Sequence, residues 1–124
     1  MQITVYGATG TFGGRLVSQL RDRGHTVIAA HRGSGVDTVT GAGVAEAADG
    51  SDVLVDCVNR MTMNARRAVD FFSRSSRSIA LAAADRPEAS LVCLSIAFRS
   101  EVGESKLLGY YQAKAMQERV YRRL

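Results

Sequence analysis

The chain has 124 residues, the length of one ordinary domain, with 46% hydrophobic and 23% charged residues; that balance builds a single core and excludes a disordered polymer. No apolar run reaches the roughly 18 residues of a membrane span, and the start MQITVYG lacks the form of a secretory signal, so no membrane attachment and a cytoplasmic setting are expected. The formal charge of +4 comes almost wholly from arginine, Lys106 and Lys114 being the only lysines, and it suits an anionic ligand. Trp is absent, aromatics are 6% and no basic run is interleaved with them, so nucleic acid is not an expected partner. Cys57 and Cys93 lie 36 positions apart. That spacing makes neither a metal knuckle nor a redox pair, and both are expected as reduced, buried thiols with no metal site.

The first element is Ile3-Thr4-Val5-Tyr6, a β-branched run stopped by Gly7, which predicts a strand and a glycine turn. In the next stretch Phe12, Leu16, Val17 and Leu20 share one helical face while Arg15, Arg21 and Arg23 point away. Gly24 stands where a helix C-terminal glycine is expected. Thr26 to Ala30 is a second, nearly all-apolar strand, so residues 2–30 have the size of a βαβ unit. The stretch His31 to Gly50 holds five of the twelve glycines; Val36 to Thr40 is read as a short strand and Val44 to Ala48 as a short helix. Asp52 to Val58 (D-V-L-V-D-C-V) is a buried strand. From about Thr62 to Ala84, the residues Ala65, Ala68, Val69, Phe72, Ile79 and Ala83 recur at helical spacing, with Arg66, Arg67, Arg74 and Arg77 off the stripe. Arg86-Pro87 ends that helix. Leu91 to Leu94 is another strand, Ile96 to Lys106 a loop, and Leu107 to Arg123 a last helix. Strands alternating with helices predict an α/β fold: a doubly wound parallel sheet of about five strands in the order 3-2-1-4-5, in one domain over residues 1–124.

Gly7-Ala8-Thr9-Gly10-Thr11-Phe12-Gly13 has the spacing G-x-x-G-x-x-G between a predicted strand and a predicted helix, the context that gives the pattern meaning. Gly7 permits a tight turn, Gly10 lets the backbone approach a pyrophosphate, and Gly13 lets the helix pack near the strand. The helix N-terminus then offers free N–H groups to the phosphates of a dinucleotide. Glycines also make ordinary turns, and only the strand–helix context separates the two readings. Sites that prefer NAD place an Asp or Glu at the end of the second strand to hold the ribose 2′-hydroxyl. Here that strand ends Ala29-Ala30-His31-Arg32 with no acid, and the planar fork of Arg32 suits a 2′-phosphate. NADP(H) is therefore the expected cofactor, with NAD(H) the other possibility.

Tyr110 and Lys114 are four apart on a predicted helix and share a face. A lysine ammonium near a phenol favours the phenolate, and such a tyrosine can give a proton to a carbonyl oxygen while hydride arrives at carbon. Ser95 follows the strand that ends at Leu94, where its hydroxyl can bond the same oxygen. A Tyr and a Lys at this spacing are common, and position carries the weight. The Gly7–Gly13 loop, Arg32, Asn59, Ser95 and the start of the Tyr110 helix all follow carboxyl ends of predicted strands, the ligand edge of such a sheet.

At these residues the sequence resembles a family. GATGTFGG, VIAAHR, DVLVDCVN, CLS and GYYQAKAMQE are similar to the short-chain dehydrogenase/reductase superfamily, nearest its atypical, NmrA-like NAD(P)-binding branch. The likeness runs along essentially the whole chain and implies a Rossmann-type domain. It implies that Gly7, Thr9, Gly10, Thr11, Phe12 and Gly13 hold the pyrophosphate, Arg32 the adenosine phosphate, and that Asn59 lines the cofactor. Ser95, Tyr110 and Lys114 match the family's serine, proton-donor tyrosine and ribose-binding lysine. The resemblance thus implies an oxidoreductase moving hydride between NADP(H) and a small carbonyl or alcohol; the alternative is a non-catalytic NADP(H)-binding sensor or regulatory module. Members of the family usually run to about twice this length, and the part that forms the substrate pocket has no counterpart here.

The predicted outer strand, Ser90 to Leu94, carries no Lys, Pro or inward charge to protect its edge. With Phe71, Phe72, Tyr111, Met116 and Val120 on the neighbouring helices, it predicts a homodimer.

Overall fold

The computed structural model describes residues 1–60, 64–95 and 108–123, with backbone alone for 108–111. Its elements are β1 (Gln2–Tyr6), α1 (Thr11–Asp22), β2 (Thr26–Ala30), a 3-10 turn (Arg32–Ser34), α2 (Val44–Ala48), β3 (Val53–Asp56), α3 (Ala65–Ala84), β4 (Ser90–Cys93) and α4 (Leu108–Arg122). All three strand pairings are parallel and the sheet runs β2-β1-β3-β4. The loop expected at Ile96–Lys106 and the expected first residues of the two long helices, 62–63 and 107, lie outside the described residues.

The alternation of β1 sorts the layers. Ile3 and Val5 face α1 and join Val17, Val27, Val55 and Cys57 in one buried cluster. Thr4 and Tyr6 face the other way, where Tyr6 packs with Val44, Ala48, Leu54, Ile79 and Ala82. The two polar side chains on that second face are satisfied by α2. Tyr6 OH donates to Val44 O at 2.7 Å, and Thr4 Oγ1 donates to Ala47 O at 2.7 Å. A five-residue helix too short to be stable alone is thereby pinned across the sheet. Of the expected stripe α3 buries Ala68, Phe72 and Ile79, while Val69 and Ala83 are half-buried and Ala65, in the first turn, is exposed. It also buries Ser75 and Ser76, whose hydroxyls are paired at once: Ser76 donates to Phe72 O at 2.6 Å and Ser75 accepts from Thr38 Oγ1 at 3.0 Å. α4 lies against α3 through Ala113, which meets Ala68 and Phe72. The four arginines expected off that stripe, Arg66, Arg67, Arg74 and Arg77, are exposed.

The sheet has four strands, not five. Residues 36–40, expected as a strand, form turns. Asp37 Oδ1 accepts from the backbone N–H of Val39 at 2.9 Å and of Thr40 at 3.3 Å, and Gly41 N–H closes on Asp37 O at 2.8 Å. The carboxylate offers the backbone a local partner, and the β-branched Thr38-Val39-Thr40 follows it into a turn. The remaining strands keep the expected order with its first member removed.

β2 and β4 are consequently both edges. Side chains approach both outward carbonyls of β2: Val27 O accepts from the Arg21 guanidinium at 3.4 Å, and Ala29 O lies 3.3 Å from Ser34 Oγ as the longer branch of a shared hydroxyl hydrogen bond. Beside β4, on the α1 side of the sheet, lies an apolar groove of about 360 Å³ bounded by Phe12, Leu16, Leu20, Val53, Val55 and Val92. Phe12 and Val92 are each about half exposed there, at 50% and 52%. Phe12 therefore stands at the groove's rim and not in the core with Val17. Phe72 departs the other way: it is fully buried between α3 and α4, so it is no part of any outer surface. No helix among the described residues is long and apolar enough to cross a membrane.

Candidate functional site

The carboxyl ends of the four strands lie side by side, so the Gly7–Gly13 loop, the His31–Ser34 turn, residues 57–59 and Leu94-Ser95 share one edge. The loop after β1 is fastened to both neighbours. Gly7 N–H and Ala8 N–H donate to Ala30 O at 3.0 and 3.3 Å, and Cys57 N–H donates to Tyr6 O at 2.9 Å. Gly7 has φ +78°, and a Cβ on it would lie 2.7 Å from the Cys57 carbonyl. At Gly13 a Cβ would lie 2.1 Å from Gly7 O. Both positions demand glycine for reasons internal to the fold.

Gly10 differs. It is exposed, has φ −69°, and its nearest contact for a Cβ is Gly7 O at 3.4 Å. Among the described residues nothing requires glycine at that place. Gly10 is also the residue before α1, and no side chain caps the helix, so the first-turn N–H groups face the same open edge as exposed Thr9, Thr11 and Phe12.

At the end of β2 the chain turns sharply. His31 N–H donates to Ser34 Oγ at 3.0 Å, Ser34 Oγ donates to His31 O at 2.9 Å, and Ser34 N–H closes on His31 O at 3.0 Å. Arg32 occupies the first position of that turn, is exposed, and forms no ion pair among the described residues. A rigid turn thus presents a free guanidinium next to the glycine loop. Asn59 is exposed beyond β3.

The serine–tyrosine–lysine set is placed in part. Tyr110 lies in the first turn of α4, with its side chain outside the described residues. Lys114 is 2% exposed, donates to Leu94 O at 2.8 Å and lies 4.8 Å from the centre of the Phe72 ring. Ser95 Oγ donates to Glu118 Oε1 at 2.5 Å. Burial holds the Lys114 amine below its ordinary pKa, opposed by the nearby Cys93, Asp56 and Glu118.

A polar cluster that sequence reasoning passed over lies directly behind these residues. Asp56, the last residue of β3, is fully buried. Its Oδ1 accepts from Val58 N–H at 2.9 Å, and its Oδ2 accepts from Gln117 Nε2 at 2.9 Å and Tyr121 OH at 2.5 Å. Burial pushes the Asp56 carboxyl above its ordinary range, against the opposing pull of the Tyr121 and Val58 hydrogen bonds, the Lys114 charge and Gln117. The sequence signal was an acid closing an otherwise apolar strand, with donors at 117 and 121 on one face of the last helix, α4. Cys57 is buried, Cys93 half-buried, and both are free; burial raises them to about 11 and about 12, which makes them inert thiols.

No protein-family model matches the chain, and no curated protein matches it. Solved structures do. A dTDP-4-dehydrorhamnose reductase from Clostridium acetobutylicum superposes with a TM-score of 0.78 at 20% identity, covering 100% of this chain and 50% of its own. The dTDP-4-dehydrorhamnose reductase from Yersinia enterocolitica gives 0.77 at 24%, covering 98% and 48%. A short-chain dehydrogenase/reductase superfamily protein from Agrobacterium tumefaciens with bound NAD gives 0.77 at 22%, covering 98% and 44%. The chain thus has the fold of short-chain dehydrogenase/reductase structures and spans about half the length of these proteins.

Proposed function

We propose that the chain is an NAD(P)(H)-binding domain of the short-chain dehydrogenase/reductase kind, nearest its NmrA-like branch, serving hydride transfer between NADP(H) and a small carbonyl or alcohol substrate. The observation that carries this reading is Gly10. The fold does not need a glycine there, and the uncapped N–H groups of α1 open at the same spot; a ligand backbone or phosphate approaching from outside accounts for both.

The residues fit such a cofactor. Gly7, Gly10 and Gly13 with Thr9, Thr11 and Phe12 would hold the pyrophosphate, Arg32 the 2′-phosphate, and Asn59 would line the cofactor beyond β3. When bound, a nicotinamide cofactor supplies or accepts the hydride. Tyr110 is the acid/base, giving its phenolic proton to the substrate oxygen in reduction and taking one in oxidation. Lys114, four residues on, favours the phenolate by its charge and reaches the nicotinamide ribose; the Leu94 carbonyl uses one of its three protons. Ser95 bonds the substrate oxygen once its hydroxyl turns from Glu118.

Those same two contacts favour a second reading. Lys114 is 2% exposed and Ser95 is already paired with Glu118, an arrangement that suits a module that binds NADP(H) as a signal and does not turn it over. Loss of NADPH absorbance with simple ketones or quinones supports the oxidoreductase; tight binding without turnover supports the sensor.

Cofactor choice is testable at one residue. Arg32 is free to grip a 2′-phosphate with a charge-assisted fork worth about 1.5–3 kcal/mol, so NADP(H) is expected to bind about tenfold or more tightly than NAD(H). Arg32→Ala should erase that difference while leaving NAD(H) affinity in place. Equal affinities for the two cofactors in titration calorimetry of the parent would refute the assignment.

A homodimer completes the proposal. Among the described residues β4 is an uncovered edge flanked by exposed Val92 and the apolar groove, and a second copy pairing along it would cover both. Light scattering after size exclusion at micromolar concentration is expected to give twice the 13.3 kDa chain mass; a clean monomer speaks against it.

A further inference from the structure

α4 packs on α3, and its ties to the strand ends are made by long side chains on its inner face. Lys114 Nζ donates to Leu94 O at 2.8 Å, Glu118 accepts from Ser95 at 2.5 Å, and Gln117 and Tyr121 both donate to Asp56 Oδ2, at 2.9 and 2.5 Å. Two donors one helical turn apart therefore meet on one oxygen. Among the described residues Gln117 Oε1 has no donor of its own, so Asp56 alone fixes which way that buried amide points.

A fully buried carboxylate is a poor source of net stability, because apolar side chains of similar volume hold such a place as well or better. What it supplies is a unique arrangement. A slip of α4 by one turn, about 5.4 Å, would bring Ala113 to the place of Gln117 and strand the carboxylate with a missing donor. An apolar inner face would accept either register.

We propose that Asp56 is a positioning residue that fixes the register of α4 at the carboxyl ends of the strands, and thereby places the Tyr110–Lys114 pair carried by that helix. The structural half of the proposal stands without any cofactor. Its consequence for Tyr110 and Lys114 rests on the function proposed above.

The test is an apolar replacement, Asp56→Leu/Gln117→Leu/Tyr121→Phe, read by amide NMR and by nucleotide binding. The triple variant is expected to melt no earlier than the parent, while α4 amide resonances split or broaden and those of β1–β3 stay single. A single sharp set for α4 at the parent positions overturns the proposal. Should the triple variant not fold, Tyr121→Phe alone removes one donor with little change of volume; disturbance confined to α4 supports the proposal, and an unchanged α4 overturns it. In the binding arm the probes are NADPH and adenosine 2′,5′-bisphosphate, which lacks the nicotinamide half. The variant is expected to lose at least tenfold in NADPH affinity with the bisphosphate unchanged, and equal loss on both overturns positioning in favour of a general structural role. A parent that binds neither nucleotide defeats the cofactor reading alone, and the α4 spectra then decide the register by themselves.

Discussion

Gly13→Ala is expected to weaken nucleotide binding by on the order of a hundredfold while Gly14→Ala, one residue along the same helix, binds as the parent does. At Gly13 a methyl group would lie 2.1 Å from Gly7 O, a backbone atom that cannot swing aside, and only displacement of the loop or of α1 relieves it. Either movement takes the α1 N-terminus off the line the phosphates need. Losing about two charge-assisted hydrogen bonds, at about 1.5 kcal/mol each or more, lowers affinity by on the order of a hundredfold. At Gly14 the same methyl meets Ala8 O at 3.5 Å, an ordinary contact. There alanine should raise stability by up to about 1 kcal/mol, since glycine is the poorer helix former. Thermal melts beside calorimetric titration separate the two effects. Equal nucleotide affinity in both variants would show that the glycine loop is only a turn.

The second large effect is expected at the far end of the site. If the chain turns over a substrate, Tyr110→Phe should cost about 10²–10⁴-fold in kcat, the range for removing a positioned general acid, and leave cofactor affinity unchanged. Lys114→Ala should lower both, because the proposal gives lysine to the phenol and to the ribose. Part of the lysine effect would be structural, since the variant also frees the Leu94 carbonyl and empties the space beside Phe72. A melt of Lys114→Ala therefore accompanies the kinetics. Full activity in Tyr110→Phe would transfer the proton donor to another residue.

Much of this architecture was readable because periodicity and glycine placement carry it. The β-branched run Ile3–Tyr6, the helix carrying the stripe in α3 and the loop from Gly7 to Gly13 each depend on neighbours in sequence, and each lies where expected. Gly24 ends α1 with φ +87°, again a local matter. The failure at residues 36–40 was a contest between two local signals. β-branched residues favour a strand there, and an Asp three places before a threonine favours a turn; the turn needed only one side chain to form, whereas a strand needed a neighbour to pair with. The Asp56 cluster was illegible for a different reason. Its members stand 61 and 65 positions apart, and no period links them. Phe12 shows the limit of helical-face reasoning: its face does point at the sheet, but toward a part of the sheet that no other element among the described residues covers.

The two edges of the sheet are not equivalent, and the difference bears on how large an assembly this chain can build. Arg21 and Ser34 lie against the outward carbonyls of β2, and among the described residues no side chain does the same for β4. A molecule with two open edges would add copies at both ends and grow without limit, as fibrils do. In the dimer proposed above, pairing of β4 with β4 about a two-fold axis would use, in both copies, the edge that carries no such contacts among the described residues. That proposal would end growth by strand addition at two, and the side chain that helps set the limit is an exposed arginine on α1 with no part in the proposed chemistry.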